Sequence, residues 1–368
     1  MNPRQERGIK IANNNHVKRI DEQHYRVKSQ SRNIEHDVIS TEFGFVCDCE
    51  DHKFRKVCCM HIHAVEFSLQ LRKQVESVVL SQVDTNCCKF CKSTDIIKKG
   101  LRKNQTYSLQ VYQCRTCKKK FSINLGFERM KASPQVITSA MQLYFTGESL
   151  RNVQKFLELQ GVKITHKTVW NWIRKYVNLM EKYLEKITPK VGEQWRADEL
   201  YLKVKGNRKY LYALMDDDTR YWIAQQVSDN KVVDDVSQML VDAKEIAGKK
   251  PSVFITDGAR NFQDAWKSEY RQKNFLDKKT EHIRHIHFKE DNNNNKMERL
   301  NGEIRDREKV MRSLKKVDSP ILAGMQIHHN FIRTHMALDG KTPSEMAGIK
   351  IEGDNKWITL IQNANRGS

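Results

Sequence analysis

Three acidic residues that lie far apart along the chain have the neighbours that a catalytic metal site needs. In "WRADELYLKVKG", Asp198 alternates in phase with Leu200 and Leu202, so its carboxylate is predicted to lie on an otherwise apolar face of a strand. Asp257 follows the apolar run "PSVFIT" and is predicted at the carboxyl end of a buried strand, where α/β sheets bind ligands. Glu298 is in the first turn of a basic predicted helix, within "NNNNKMERLNGEIRDREKVM".

Together the three acids would form a site for divalent cations. Carboxylates that converge in a medium of low dielectric repel one another and stay ionised only beside a cation. Hard oxygen ligands suit Mg²⁺ or Mn²⁺, and two such ions about 3.5–4 Å apart can clamp both oxygens of a phosphoryl displacement. Glu298 shares a helix face with Gly302, Arg305 and Lys309, so the two basic residues are candidates for phosphate contact. The alternative is that the acids are scattered surface residues.

A first cluster of cysteines lies in "CDCEDHKFRKVCCMH", and all nine cysteines precede residue 118. Its CxC and CxH pairs offer three thiolates and one imidazole, enough for a closed tetrahedral Zn²⁺ site. The predicted ligands are Cys47, Cys49, Cys59 and His61, with Cys58 and His63 as spare candidates. Strand-like segments before the cluster and a helical segment after it resemble a SWIM zinc finger, a small DNA- or protein-binding module. The alternative is a chance group of small buried thiols.

A second cluster has the spacing of a zinc ribbon. The pairs are Cys88-x-x-Cys91 and Cys114-x-x-Cys117, separated by alternating residues that suit strands. Four soft ligands leave no open coordination position, which favours structural zinc over a catalytic metal. Two such pairs also fit a ribbon better than a redox site. With the first cluster, the sequence predicts about two zinc ions per chain.

Residues 133–180 change to helical spacing and predict a helix-turn-helix unit. Ser133, Ser149 and Thr165 can cap three successive helices, with Gly147 and Gly161 at the turns. The third helix would bury its apolar stripe and expose a polar surface of the kind that a recognition helix places in the major groove. The predicted DNA-contacting residues are His166, Lys167, Thr168, Asn171, Arg174 and Lys175. A plain helical linker would show the same periodicity.

The composition favours a polyanionic partner. The chain has 368 residues, and 65 Lys and Arg against 45 Asp and Glu give a net charge of +20. Double-stranded DNA is the leading candidate, and a merely basic surface is the alternative. The first residues, "MNPRQERGIK", have no apolar core of a signal peptide, and no segment offers some 18 consecutive apolar residues. We therefore expect no membrane association and a reducing, cytoplasmic location, in which cysteines bind metal rather than form disulfides.

The elements around the three acids follow the order β-β-β-α-β-α, with a hairpin turn at the aspartate run 216–218. Five motifs in this order resemble those of DDE-type insertion-sequence transposases, near the insertion-sequence-six group, whose core begins W-x-x-D-E-x-Y followed by KG. They are "WRADELYLKVKG", "YLYALMDDDTR", "FITDG", "NNNNKMERLNGEIRDREKVMRSLK" and "HMALDGKTPSEMAG". The resemblance covers residues 88–350 and leaves the SWIM-like segment as an extension.

The resemblance implies a ribonuclease-H-like α/β catalytic core, a mixed sheet flanked by helices, behind N-terminal zinc-binding modules and a helix-turn-helix domain. It implies that Asp198, Asp257 and Glu298 bind the catalytic metal ions, and that the ribbon and helix-turn-helix contact the element's inverted ends. The interval between Asp257 and Glu298 is longer than in the nearest bacterial relatives, so an extra loop is expected within "DKKTEHIRHIHFKEDN". Two other acids are alternatives for the third position: Asp291 and Glu303.

The predicted domains are a SWIM-like region (1–80), a zinc ribbon (81–126), a helix-turn-helix domain (127–188), the catalytic core (189–350) and a fraying C-terminal tail (351–368). The predicted function is cleavage of transposon ends and strand transfer to target DNA, in an assembly of at least two protomers of a nucleoid-associated, prokaryotic-type protein. Two rivals stay open. One is a catalytically silent, sequence-specific DNA-binding regulator, and the other is a nuclease of the same fold that cuts without joining.

Overall fold

The structure of the protein is a computed structural model. It describes residues 3–13, 17–20, 23–29, 34–41, 44–73, 78–82, 87–104, 107–122, 124–272, 279–284, 295–311, 314 and 319–366. Asp291, one alternative third acid, and three of the four asparagines before Glu298 lie outside these residues. No helix within the described ranges combines the length and apolar character needed to cross a membrane.

The N-terminal module is a small sheet covered by helices. It comprises α1 (Pro3–Asn13), β1 (Val17–Arg19), β2 (His24–Lys28), β3 (Glu35–Thr41), β4 (Gly44–Cys47), α2 (Glu50–Arg55) and α3 (Met60–Lys73). The four strands pair antiparallel in sequence order. Helix α1 lies so close to α3 that a Cβ at Gly8 would meet the Cβ of His63 at 2.8 Å. The strands before the first cysteine cluster and the helix after it are therefore as predicted.

A three-stranded antiparallel sheet carries the second cysteine cluster. After the short strand β5 (Val78–Leu80), it comprises β6 (Ile96–Lys103), β7 (Ser108–Cys114) and β8 (Lys120–Ser122). Only Cys88, Cys114 and Phe121 are buried in its core, against three partly buried neighbours. An apolar core this small provides little stabilisation for a separate sheet.

Three helices follow, with the caps that the sequence predicts. They are α4 (Pro134–Phe145), α5 (Leu150–Leu159) and α6 (His166–Leu184). The side chains of Ser133, Ser149 and Thr165 each accept a hydrogen bond from a backbone N–H in the first turn of their helix. Gly161 takes a φ of +76° in the turn before α6, a conformation that glycine adopts without steric cost.

The central sheet is mixed and has helices beside it. It is built from β9 (Gln194–Val204), β10 (Asn207–Asp216), β11 (Trp222–Ser228), α7 (Val233–Ala247), β12 (Val253–Thr256), α8 (Arg260–Glu269) and β13 (Glu281–Arg284). The strand order is β11-β10-β9-β12-β13, with β9, β10 and β11 antiparallel and β12 parallel to both β9 and β13. Helix α9 (Asn295–Met311) follows. The predicted β-β-β-α-β-α order is confirmed.

One segment of this sheet departs from expectation. The stretch predicted as an extra loop, "DKKTEHIRHIHFKEDN", contains the edge strand β13, which pairs with β12 in parallel. Its apolar content is small, but it extends the sheet through backbone hydrogen bonds, which side-chain patterning does not reveal. The rest of the stretch before α9 lies outside the described residues.

The C-terminal part is not the fraying tail that the sequence analysis expects. It comprises α10 (Pro320–Ile327), a π-helical turn at His328–Ile332, a 3₁₀ turn at Met336–Leu338, α11 (Pro343–Met346), β14 (Ile349–Ile351) and α12 (Lys356–Arg366). Strand β14 pairs in parallel with β5, and α12 packs against α4 and α6. The prediction was wrong because the apolar spacing of Trp357, Leu360, Ile361 and Ala364, all buried, was overlooked.

Replacing Trp357 with alanine is expected to destabilise the protein by about 3–5 kcal/mol. The indole is 3% exposed, lies with its ring centroid 5.8 Å from that of Phe145, and donates from Nε1 to Gln142 at 2.8 Å. Urea denaturation would measure the loss, with the exposed Arg366→Ala in the same helix as control, expected to stay within about 0.5 kcal/mol. Equal effects of the two variants would contradict the packing of α12.

Candidate active site and metal-binding clusters

Two neighbouring strands lead towards the first two predicted acids. In the parallel pair of β9 and β12, Ile255 lies opposite Arg196, and the same register continued by two residues places Asp257 opposite Asp198. Adjacent strands are about 4.8 Å apart, so the two carboxylates start from backbone positions that allow a shared ligand. Asp198 is half-buried, and Asp257 is exposed just after β12 ends.

The surroundings of Asp198 disfavour ionisation of its carboxyl group. The pKa of its carboxyl is raised to about 6, chiefly by burial and in part by the nearby charge of Asp257. Two donors oppose this effect, the backbone N–H of Glu199 at 2.9 Å and the side-chain amide of Asn301 at 2.8 Å. A positive charge placed beside the two aspartates would favour their ionised forms.

Helix α9 is fastened to this edge of the sheet. Asn301 is 3% exposed and hydrogen-bonds to Asp198, while Lys296 pairs with Asp217 at 3.0 Å in the turn after β10. Glu298 lies between these two anchors, in the first turn and exposed to solvent. Three residues of α-helix advance by about 4.5 Å, so Glu298 is one turn from the residue that contacts Asp198.

The oxygens of the three carboxylates are not as close to one another as the ligand atoms within each of the two cysteine clusters are. Within the described part of the chain, sets of three or more potential ligand atoms within 4.8 Å of one another occur only at those clusters. The oxygens of Asp198, Asp257 and Glu298 are therefore more widely spaced, although their backbone elements are neighbours. The three-acid site remains a proposal, supported by the register of β9 and β12 and by the contacts of Asn301 and Lys296 on α9.

The remaining residues of α9 divide between two environments. Arg305 and Lys309, the predicted phosphate contacts, are exposed, and Lys309 pairs with Asp306 at 2.9 Å. Glu303, an alternative third acid, is occupied elsewhere, since it accepts from His329 at 3.2 Å and pairs with Arg333. Burial alone would raise the pKa of Glu303, but these partners outweigh it and lower the pKa. Glu303 is thus committed to a structural network.

The first cysteine cluster has the geometry of a tetrahedral site. Its four ligand atoms lie within 4.8 Å of one another, and the Nδ1 atom of His61 is 3.8 Å from the sulfur of Cys47 and 3.9 Å from that of Cys59. The hydrogen bond shared by Cys47 and Cys59 lowers the pKa of Cys59 to about 3 and raises that of Cys47, so it favours one thiolate in the pair. All four ligands, including Cys49, are buried.

The two spare candidates stand outside this cluster. Cys58 is exposed, and His63 pairs with Glu66 at 2.9 Å. The structure therefore groups the four residues that the sequence analysis names first.

The second cluster is similarly compact. Sulfur–sulfur distances are 3.6 Å for Cys88–Cys117 and 3.5 Å for Cys91–Cys114. A tetrahedral zinc with bonds of about 2.3 Å places its sulfurs about 3.8 Å apart, so the cluster fits this ion closely. Both clusters could hold a metal ion, and the nine cysteines are all free thiols.

The outer face of α6 presents most of the predicted DNA-contacting residues. Thr168 is half-buried and shares a 3.1 Å hydroxyl contact with the cap residue Thr165. The other five are exposed: His166, Lys167, Asn171, Arg174 and Lys175. On the opposite face, Val169, Trp172, Ile173 and Tyr176 are buried as predicted.

Two residues with evident roles at the acid site were missed from the sequence. Asn301 lies three positions after Glu298, on a neighbouring part of the same helix face, and this spacing could have identified it. Lys296 had no such signal, because its partner Asp217 is 79 residues away in the chain.

A family model described as a DDE domain matches residues 192–335, the segment that contains the central sheet, α9 and the turn after α10. Residues 192–335 are thus similar to DDE domains. Among curated proteins, the DDE segment resembles the transposase for insertion sequence-like element IS431mec of Staphylococcus aureus. That protein is 28% identical over 137 residues, which are 36% of this chain and 59% of the relative.

Further similarities have the same partial extent. An uncharacterized 48.3 kDa protein of insertion element ISM1 from Methanobrevibacter smithii is 26% identical over 187 residues, 47% of this chain and 45% of that protein. The chain thus spans less than two thirds of these relatives' lengths. Among solved structures, the HTLV-2 integrase catalytic core domain in complex with magnesium is similar with a TM-score of 0.31 and 19% identity. The similar region covers 44% of this chain and 98% of that domain.

Proposed function

We propose that the protein is a DNA transposase whose DDE domain cleaves transposon ends and joins them to target DNA. The observation that carries the proposal is the parallel register of β9 and β12, which, continued by two residues, sets Asp257 opposite Asp198. Glu298 is about one helical turn from the Asn301–Asp198 hydrogen bond. The match to the DDE domain family and the transposase activity named for the IS431mec relative support it.

The residues of the acid site fit Mg²⁺ or Mn²⁺. Their candidate ligand atoms are carboxylate oxygens. The pKa of Asp198 is raised in part by Asp257, and a bound divalent cation would reduce this repulsion between the two carboxylates. When bound, the cations would lower the pKa of water and stabilise charge that develops on the phosphate. Asp198 would hold both ions, and Asp257 and Glu298 one each. The side chains of Arg305 and Lys309 would neutralise an adjacent phosphate.

The proposed reaction needs no covalent bond to the protein. In the first step a water oxygen forms a bond to phosphorus at the transposon end, and the bond from phosphorus to the 3′-oxygen breaks. One water proton passes to the departing 3′-oxygen, which becomes a hydroxyl, and the other leaves the new 5′-phosphate for solvent. In the second step the freed 3′-hydroxyl attacks a target phosphodiester and loses its proton, and the displaced target 3′-oxygen takes up a proton. Each step exchanges one phosphorus–oxygen bond for another, so neither consumes an oxidant or an energy source.

We assign DNA binding to the elements that precede the DDE domain. The net charge of +20 suits a polyanion, and the exposed face of α6 offers polar and basic residues of the kind that a major groove accepts. The proposed units are the SWIM-like region, the zinc ribbon and the helix-turn-helix, ahead of the catalytic core. Because two ends must be joined, the active form would contain at least two protomers, acting on DNA in a prokaryotic cytoplasm.

An assay with a supercoiled donor plasmid tests the proposal against both rivals. The plasmid would carry the inverted repeats that flank the gene, and the products would be resolved with Mg²⁺ or Mn²⁺ present. A transposase gives cleaved ends and joined products, a nuclease gives cleaved ends alone, and a silent regulator gives binding alone. Absence of joining with active-site residues intact would reject the proposed function.

Replacing Asn301 with alanine is expected to raise the divalent cation concentration for half-maximal cleavage by about 10–100-fold. The amide donates to Asp198 at 2.8 Å, so its loss would free a ligand that the structure holds in position. A titration of cleavage rate against Mn²⁺ measures the shift. Arg299→Ala, exposed on the same helix, is the control, and an equal change in both variants would argue against a positioning role.

A further inference from the structure

A cavity of about 560 Å³ lies behind α9, on a different side of the helix from Glu298. Its walls come from the end of α4, the turn before α5, the middle of α9 and the π-helical turn, so it joins the helical unit to the DDE domain. None of the functions proposed above uses it. Its volume is in the range of small-ligand sites and far exceeds that of a single water.

The charge of Arg307 is the unusual feature of this cavity. The residue is 3% exposed, donates from Nη1 to the backbone carbonyl of Glu148 at 2.8 Å, and lies 3.7 Å from the ring centre of Tyr144. Its Nε atom has no hydrogen-bond partner within the described part of the chain. A carbonyl and a ring face supply partial charge only, so a buried guanidinium is left without a full counter-charge.

The acids around the cavity are already paired. Glu303 is engaged by Arg333 and His329, and Asp306 by Lys309. The side chain of Glu148 accepts from Asn152 at 2.9 Å. Burial raises the pKa of Tyr144 despite the nearby Arg307, so the phenol stays protonated. Over the residues that the structure describes, no ion pair to Arg307 is formed.

A second buried nitrogen without a hydrogen-bond partner in the described chain belongs to a residue of the cavity wall. His328 lines the cavity, is 8% exposed, and has a buried Nε2 without a hydrogen-bond partner in the described chain. Its ring packs against those of Phe145 and Trp357, with centroids 6.2 Å from each. Burial lowers the pKa of His328 to about 4, so its ring is neutral and Nε2 donates when that atom carries the proton. With the cationic Arg307, such a donor suits an anion with several oxygens better than a halide.

We propose that this cavity binds a phosphate group through Arg307 and His328. The phosphate would come either from the backbone of bound DNA or from a small phosphorylated molecule, since the same two donors would recognise both. Arg307 already links α9 to the α4–α5 turn. An occupied cavity would therefore stabilise the helix that carries Glu298 against the unit proposed to bind DNA ends.

The test is calorimetric titration of the full chain with inorganic phosphate, at constant ionic strength against chloride and without added divalent cation, so that the acid site does not contribute. Arg307→Gln is expected to weaken phosphate binding by at least about tenfold. His328→Phe, which keeps the stacked ring, is expected to do likewise if its thermal transition matches wild type. Arg299→Gln, the exposed control on α9, should bind as wild type does.

Repeating the titration with saturating end DNA distinguishes the two sources. If a DNA phosphate occupies the cavity, end DNA abolishes the binding of inorganic phosphate. In that case Arg307→Gln also lowers the slope of log Kd for end DNA against log salt concentration by about one. If the ligand is a small phosphorylated molecule, phosphate binding persists and the slope is unchanged. The proposal would be overturned if the wild-type protein bound phosphate no more tightly than Arg307→Gln does. It would also be overturned if Arg299→Gln lost as much phosphate affinity as Arg307→Gln. Since no cleavage is measured, it fails or stands separately from the transposase assignment.

Discussion

Cys91→Ser is expected to remove one zinc ion per chain and to unfold the three-stranded sheet β6–β8. The buried core of this sheet consists of two cysteines and Phe121, with a few partly buried neighbours. Zinc binding in structural sites contributes about 10–16 kcal/mol to folding, more than so small a core can supply. Elemental analysis would count the metal, and limited proteolysis would locate the unfolded segment.

The chain provides matched controls for this experiment. Cys87 lies next to the ribbon cluster but outside it, so Cys87→Ser should retain the full zinc content. Cys59→Ser and Cys58→Ser form the equivalent pair at the first cluster, where the larger core around Tyr25 and Val38 should preserve part of the fold. A Cys91→Ser protein with unchanged zinc and proteolysis would refute the ribbon site.

Asp257→Asn is expected to reduce cleavage of end DNA by about three orders of magnitude while leaving DNA binding intact. The substitution keeps the shape of the side chain and removes the charge opposite Asp198, so a metal clamp worth several kcal/mol would be lost. Cleavage rates and fluorescence anisotropy on the same end DNA would separate the two effects. We expect the residual rate to be insensitive to added Mn²⁺.

The control for this variant is Asp264→Asn, an acid in α8 that pairs with Lys267 at 3.1 Å on the surface. It should cleave at the wild-type rate. Loss of end binding in Asp257→Asn, or equal loss of cleavage in Asp264→Asn, would count against Asp257 as a metal ligand. Asp198→Asn should behave like Asp257→Asn, because the proposed site requires both aspartates.

Local chemistry made much of this protein predictable from its sequence. Hydroxyl caps before α4, α5 and α6 determine where each helix starts, and the CxxC spacing identifies the cysteines that meet in the second cluster, because both depend on residues within one or two turns. The order of strands around Asp198 and Asp257 follows from alternation and from the apolar run before Asp257.

Contacts between distant segments were not predictable in the same way. Strand β13 depends on backbone pairing with β12, for which its residues carry no local signal. Helix α12 differs, because the apolar spacing of its buried residues was a local signal that was overlooked. The role of Asn301 depends on a hydrogen bond across 103 residues. The spacing of the three acids is likewise a tertiary property, which sequence order alone does not determine.

The parallel pairing of β14 with β5 has a consequence for synthesis. Residues 349–351 complete a two-stranded sheet with residues 78–80, and the final helix fills the space between α4 and α6. Residues 349–366 leave the ribosome after the modules that precede them, which have already had time to fold. The helical unit therefore closes only once residues 349–366 have been synthesised, so a chain truncated before Lys356 would expose apolar surface.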